Sequence, residues 1–218
     1  MPSSPLPRVV KIFLAVFFAA LIFQTYTWLH VGPIDEASWS SAIKNTSEHF
    51  LIHPGIGEPG YFAYGYPATP IHFGGALLVR SGVSPETSLQ LILAFCVALG
   101  VALAAAFLYQ LRPQSLWWLA GSATLLFTTD YYRSTPASSA VLPLIVCMVL
   151  ATLYAFEQRE AFRKSWAVLF GCIVGLALAT RLDISGAVAL ASFLFLLPFI
   201  KEKALAIGGC ALLTFFIL

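Results

Sequence analysis

The chain has 218 residues, of which 59% are hydrophobic and only 10% charged, with a formal net charge of +2. A soluble domain carries about 25% charged residues, so this composition belongs in a bilayer. The small net charge and the lack of any basic run exclude a nucleic-acid partner.

In chain order, the first element is an apolar run over 12–29, preceded by Arg8 and Lys11. With its flanks it approaches the ~20 residues a spanning helix needs. A cleaved signal peptide is the competing reading, but no small-residue cleavage site with a polar follow-on comes after it. The expectation is a retained first helix whose start is held in the cytoplasm by Arg8 and Lys11. A long polar segment then begins at residue 30. It contains all four histidines (His30, His49, His53, His72) and the acids Asp35, Glu36, Glu48 and Glu58. Residues 35–50 carry apolar points at Trp39, Ile43 and Phe50, which predicts a short amphipathic helix lying on the membrane. Residues 54–70 are broken by Gly and Pro and interleaved with Tyr61, Tyr64 and Tyr66, side chains suited to an interface. Residues 71–79 are apolar but too short to cross, which predicts an interfacial or re-entrant helix ending at Arg80.

Ser84-Pro85-Glu86 is a helix-start signal, with Ser84 at N-cap and Pro85 at N1. Further apolar spans are expected at 88–111, 115–129, 140–156, 166–179, 186–200 and 204–218. Polar turns separate them, including 130–139 and TRLDIS at 180–185, and Lys201 and Lys203 bracket a tight turn. The fold class is therefore all-α: a polytopic transmembrane helix bundle of about seven spans with a long first extracytoplasmic loop. Its parts are a first helix over 1–29, an extracytoplasmic loop with interfacial helices over 30–87, and the remaining helices over 88–218. With the N-terminus inside, eight of the twelve Lys and Arg fall in inner loops and four (Lys44, Arg80, Arg133, Arg181) in outer ones, as the positive-inside bias requires. The apolar end at 215–218 is expected to continue into further helices, because a helix end in lipid needs its carbonyls satisfied or carried out to water.

Several residues carry potential chemistry. Asp35 and Glu36 open the outer loop, where a carboxylate can act as general base on a substrate at the membrane surface, or can simply cap a helix. Arg133 and Arg181 stand at outer ends of spans. They suit a phosphate group, but Asp130 and Asp183 lie close enough to pair with them locally. The four histidines with Asp35 are candidate metal ligands on composition alone. Their spacing matches no ligand pattern and Pro54 interrupts it, so no metal or other cofactor is expected. The four cysteines all lie in apolar runs without CxxC spacing and read as small core residues.

Four stretches together resemble a known family. These are the first helix followed by Asp35-Glu36, the proline-rich GYPATPIHFGGALL (65–78), the run 81–113, and GLALATRLDISG (175–186). They resemble the N-terminal module of the GT-C superfamily of polytopic glycosyltransferases, specifically its protein O-mannosyltransferase and aminoarabinose transferase branches. The resemblance implies an enzyme that moves a sugar from a polyprenyl-phosphate donor to a hydroxyl on a glycan, lipid or protein acceptor, with inversion at the sugar carbon. It implies a multi-pass protein of a bacterial cytoplasmic membrane, with the site on the outer side. By motif position Asp35 matches the catalytic base and Glu36 its neighbour. The aminoarabinose transferases carry a basic residue just before the prolines, where this chain has Tyr66. Arg80, Arg133 or Arg181 is then left to hold the donor phosphate, with Tyr61, Tyr64, Tyr66 and His72 in the substrate loop. The alternative from another class is a non-catalytic polytopic protein, such as a transporter or an envelope-assembly subunit. A transporter should show polar or broken spans at midplane, whereas here the ionisable residues gather at span ends.

Overall fold

The computed structural model describes residues 7–31, 36–49, 69–131, 136–160 and 164–217. Among them the regular elements are all α-helices: α1 (Arg8–Val31), α2 (Glu36–His49), α3 (Thr69–Arg80), α4 (Pro85–Leu111), α5 (Trp117–Tyr131), α6 (Pro136–Glu157), α7 (Lys164–Thr180), α8 (Leu182–Leu196) and α9 (Lys201–Ile217). Three of them, over Arg8–His30, Pro85–Leu111 and Ser138–Glu157, are long and apolar enough to cross a membrane. Their outward surfaces agree with that. On α1, Phe18, Ile22 and Tyr26 are more than half exposed, a stripe that water would penalise and lipid would not.

The centre of the bundle is α4, which packs against α1, α5 and α6 and carries the α2–α3 pair at its N-terminal end. Its start follows the local signal: Ser84 is extended, its Oγ accepts from the Thr87 N–H (3.2 Å), and Pro85 occupies the first turn. Lipid tails are as apolar as leucine, so helices here associate by close packing rather than by escape from water. Accordingly α4 buries a run of small residues, Ala94, Ala98, Ala102 and Ala105, all fully inaccessible. At Gly100 an added Cβ would lie 2.5 Å from Pro143 Cβ on α6. The Cys147 thiol, one turn further along α6, donates to the Gly100 carbonyl at 3.1 Å. A second close seam joins α7 to α9, where Gly171 and Gly175 face Cys210, Ala211 and Thr214.

The polar contacts fix which helix ends lie together. Arg112 at the end of α4 reaches Glu157 at the end of α6 (3.3 Å), so those two helices run the same way. Arg181 at the end of α7 donates to Ser138 Oγ at the start of α6, so α7 returns in the opposite sense. Phe17 meets Phe95 edge-on at 5.7 Å, while Trp28 shares a buried cluster with Leu89 and Leu93. Later residues of α1 therefore meet earlier residues of α4, and the two helices are antiparallel.

Several boundaries differ from the sequence expectation: of the polar turn expected over 130–139, Asp130 and Tyr131 lie in α5 and 136–139 in α6. Arg181 is the single extended residue between α7 and α8 (φ −157°, ψ 103°), where a six-residue turn over 180–185 was expected. The Arg181 N–H closes α7 on the Ala177 carbonyl (2.9 Å), and Asp183 falls in the first turn of α8, where the helix dipole favours an acid. Lys201 and Lys203 lie inside α9 rather than in a turn. The turn is 197–200, around Pro198, which has no N–H to extend α8.

Candidate functional site

Among the described residues of the long polar segment and its apolar continuation, two helices, α2 and α3, fold onto one end of the bundle. In α2 the positions Trp39, Ala42, Ile43 and Thr46 are buried, while Ser41, Lys44 and Glu48 face out. This is the i, i+3/i+4, i+7 pattern of an amphipathic helix, as the sequence predicted. Its apolar face lies on α3, where Ile71, His72, Gly75 and Ala76 are buried. The two helices approach closely at Gly75, where an added Cβ would stand 2.7 Å from Ile43 Cδ1. Beneath them, Trp28, Trp39, Ile43, Ile71, Leu89 and Leu93 form one apolar cluster that joins α1, α2, α3 and α4. The helix expected over 71–79 is present as α3, and it also reaches α7.

Of the residues singled out in the sequence, Asp35, Tyr61, Tyr64, Tyr66, Arg133 and His53 lie outside the described residues. Glu36 opens α2. His72 lies within the α2–α3 contact, at 1% exposure. Its ring stacks on that of Trp39, with centroids 5.4 Å apart and planes 6° apart. His30 is exposed on α1, and its Nδ1–H donates to the Tyr26 carbonyl at 2.7 Å. Among the described residues no three His, Cys, Asp or Glu side chains converge.

The arginines hold specific positions. Arg80 Nε–H donates to the Ser47 carbonyl (2.7 Å). This places a cation on the negative end of α2 and ties the ends of α2 and α3 together. Beside it Thr46, Phe73, Ala76 and Leu77 line a small pocket of about 140 Å³. Arg181 is bidentate to Asp183, with Nε to Oδ1 at 3.0 Å and Nη2 to Oδ2 at 3.3 Å, and also donates to Ser138. The local ion pair weighed for Arg181 is therefore present. With α3 packed against α4 and α7, Arg80 and Arg181 belong to the same end of the bundle. Ser138 had no marker in the sequence, since a serine in a polar turn is unremarkable until its partner is known.

Burial of His72 pushes its pKa down from 6.5 to about 4, because desolvation penalises the imidazolium. The sign follows. Between those values the undocked helix binds a proton that the docked one excludes. Docking is therefore at full strength above pH ~6.5 and weakens as the pH falls towards 4, by about 3 kcal/mol in total. Amide hydrogen exchange over 39–47, corrected for the intrinsic pH dependence, should accelerate between pH 7 and pH 4.5. His72→Phe should remove the pH dependence. An exchange profile that stays flat in the wild type would reject the assignment.

Comparison with family models, curated proteins and solved structures finds no match for this chain.

Proposed function

We propose that the chain is a membrane-embedded glycosyltransferase module that acts on a polyprenyl-phosphate sugar at the α2–α3 end of the bundle. The observation that supports this most directly is the placement of α2. Asp35-Glu36 immediately precedes or opens this helix in sequence, and α2 is anchored at the end of the bundle that also carries Arg80 and Arg181. In this reading the seven spans are α1 and α4–α9. The N-terminus is cytoplasmic and α2–α3 lie outside, in a bacterial cytoplasmic membrane. The later helices are short: α8, at 15 residues, spans ~22 Å at ~1.5 Å per residue, so their polar ends sit below the surface of a ~30 Å core.

The reaction balances with this chain's own groups. The acceptor oxygen attacks the anomeric carbon from the face opposite the phosphate. Asp35 takes the acceptor proton as the new C–O bond forms. The bond from the carbon to the phosphate oxygen breaks, polyprenyl phosphate leaves with the electron pair, and an arginine at this end faces its charge. Arg80 and Arg181 are the described arginines at this end, and Arg181 is also paired with Asp183.

The orientation is tested by replacing the exposed Ser41 with Cys and adding an impermeant thiol reagent to intact cells. Labelling without permeabilisation is expected. Labelling only after permeabilisation would put α2 on the inner side and remove the site. The activity is tested by incubating membranes that contain the chain with a panel of labelled polyprenyl-phosphate sugars. Label is expected to pass from the lipid to an acceptor, and its retention on the lipid throughout the panel returns the non-catalytic reading.

A further inference from the structure

Helices α6 and α8 pack side by side. Between them Val149, Thr152 and Leu153 of α6 and Ala187, Ala191 and Phe195 of α8 line a lateral groove of about 460 Å³. The sequence explains the gap. On α6 the three positions fall at i, i+3 and i+4, on one face. On α8 two of the lining positions, one turn apart, are alanines, too short to fill the space between the helices. The rim is open: Val149, Leu153 and Phe195 are each 46% exposed. Because α6 is long and apolar enough to cross a membrane, what meets that opening in a bilayer is lipid chain.

The groove runs into an aromatic cluster that ends at a cation. The Phe195 ring lies 5.3 Å from that of Phe156, which meets Phe199 edge-on at 5.1 Å. Phe156 continues the groove face of α6, one turn beyond Thr152 and Leu153. Arg159 Cζ stands 5.4 Å from the centroid of the Phe156 ring, within cation–π range. A phenyl ring takes none of the five guanidinium N–H donors. Of the two acids beside Arg159 in sequence, Glu157 pairs with Arg112 (3.3 Å) and Glu160 is exposed on the turn. Arg8 and Lys11 in the first turn of α1, Arg112 at the C-cap of α4 and Lys164 at the start of α7 belong to this same end, because the α1–α4 and α6–α7 pairs are antiparallel. An apolar groove that opens to lipid and ends at a cation fits an amphiphile with an apolar chain and an anionic headgroup. We infer that the α6–α8 groove seats an acyl chain of an anionic phospholipid whose phosphate is held by Arg159. Arginine matches phosphate oxygens bidentately, and its long stem carries the charge to the headgroup level. This end is opposite to α2–α3, so the inference stands independently of the transferase reading.

In the test, the full chain in mild detergent is titrated with phosphatidylglycerol or with phosphatidylcholine of the same chains. Bound lipid is counted by native mass spectrometry. Phosphatidylglycerol is expected to bind about 5-fold more tightly, the share of one basic residue at an anionic headgroup. Arg159→Gln should abolish that preference. Ala191→Leu, which fills the groove, should weaken both lipids alike. Arg159 and Ala191 are exposed, so both variants are expected to keep the fold. Arg112→Gln is the control: it removes a cation from the same end but not from the groove, and the preference should survive it. Equal loss of preference in Arg112→Gln and Arg159→Gln would reveal only the general field of a basic end and overturn the site. A preference that outlasts Arg159→Gln would do the same. So would tighter binding of polyprenyl phosphate than of phosphatidylglycerol, or a dimer that Ala191→Leu dissociates, since either gives the groove to another occupant.

Discussion

Asp35→Asn is expected to lower sugar transfer by about 10²–10⁴-fold at unchanged expression, the range for loss of a general base. The substitution keeps the shape and the hydrogen-bonding oxygen of aspartate but cannot accept a proton at neutral pH. Aspartate, with an ordinary pKa of ~3.9, is ionised there. Asn and Asp are near-equal helix caps, so a purely structural Asp35 would leave the rate within a few-fold of wild type. Glu36→Gln should be milder. Glu36 is the first residue of α2, and a neighbour one residue along a helix points ~100° away. The measurement is the initial rate of transfer from a polyprenyl-phosphate sugar in membranes with matched protein levels. An Asn variant as active as wild type would end the role of Asp35 as base, whatever the state of the rest of the site.

Gly171→Ala is expected to destabilise the bundle by about 1–3 kcal/mol, the range for overpacking a tight contact. Larger side chains at this position should prevent accumulation of the folded protein. The added Cβ would lie 2.5 Å from Cys210 Cβ and 2.7 Å from the Ile207 carbonyl oxygen of α9. Backbone cannot rotate aside, so α7 and α9 must separate. Gly175 has the same problem against Thr214 Cβ (2.5 Å) and the Ala211 carbonyl oxygen (2.6 Å). Once the seam has opened for one substitution the second costs less, so Gly171→Ala with Gly175→Ala should be less than additive. Gly209, on the same α9, is the control: nothing lies within 4 Å of its added Cβ. Gly209→Ala should be neutral or gain up to ~1 kcal/mol of helix propensity. Melting temperatures in one detergent decide between these outcomes. Equal values for Gly171→Ala and Gly209→Ala would show that the seam yields.

These two predictions draw on different kinds of information. The role of Asp35 comes from the sequence, from an acid placed just before an amphipathic helix and from resemblance, and Asp35 lies outside the described residues. The α7–α9 seam comes from coordinates. Two glycines four apart in an apolar run hint at a close contact, but they do not say which helix approaches or at which residues.

The sequence by itself determined what depends on neighbours along the chain. Hydropathy over windows of about 20 residues marks long spans, and it placed α1, α4 and α6. The Ser84-Pro85 signal placed the start of α4 because a cap needs only its own hydroxyl and a nearby N–H. The spacing of Trp39, Ile43 and their neighbours predicted the buried face of α2. Tertiary structure alone decided what depends on residues far apart in the chain. His72 reads as a polar side chain at the substrate loop until Trp39 and the α2–α3 contact enclose it. Arg80 reads as an available cation until the Ser47 carbonyl, 33 residues away, takes its Nε–H. Arg181 reads as a loop residue until its N–H closes α7 and Asp183 opens α8, leaving it the single extended residue between two helices. In each case the side chain's chemistry was visible in the sequence. Its partner was not, because desolvation and hydrogen bonding are set by whichever surface the fold brings against it.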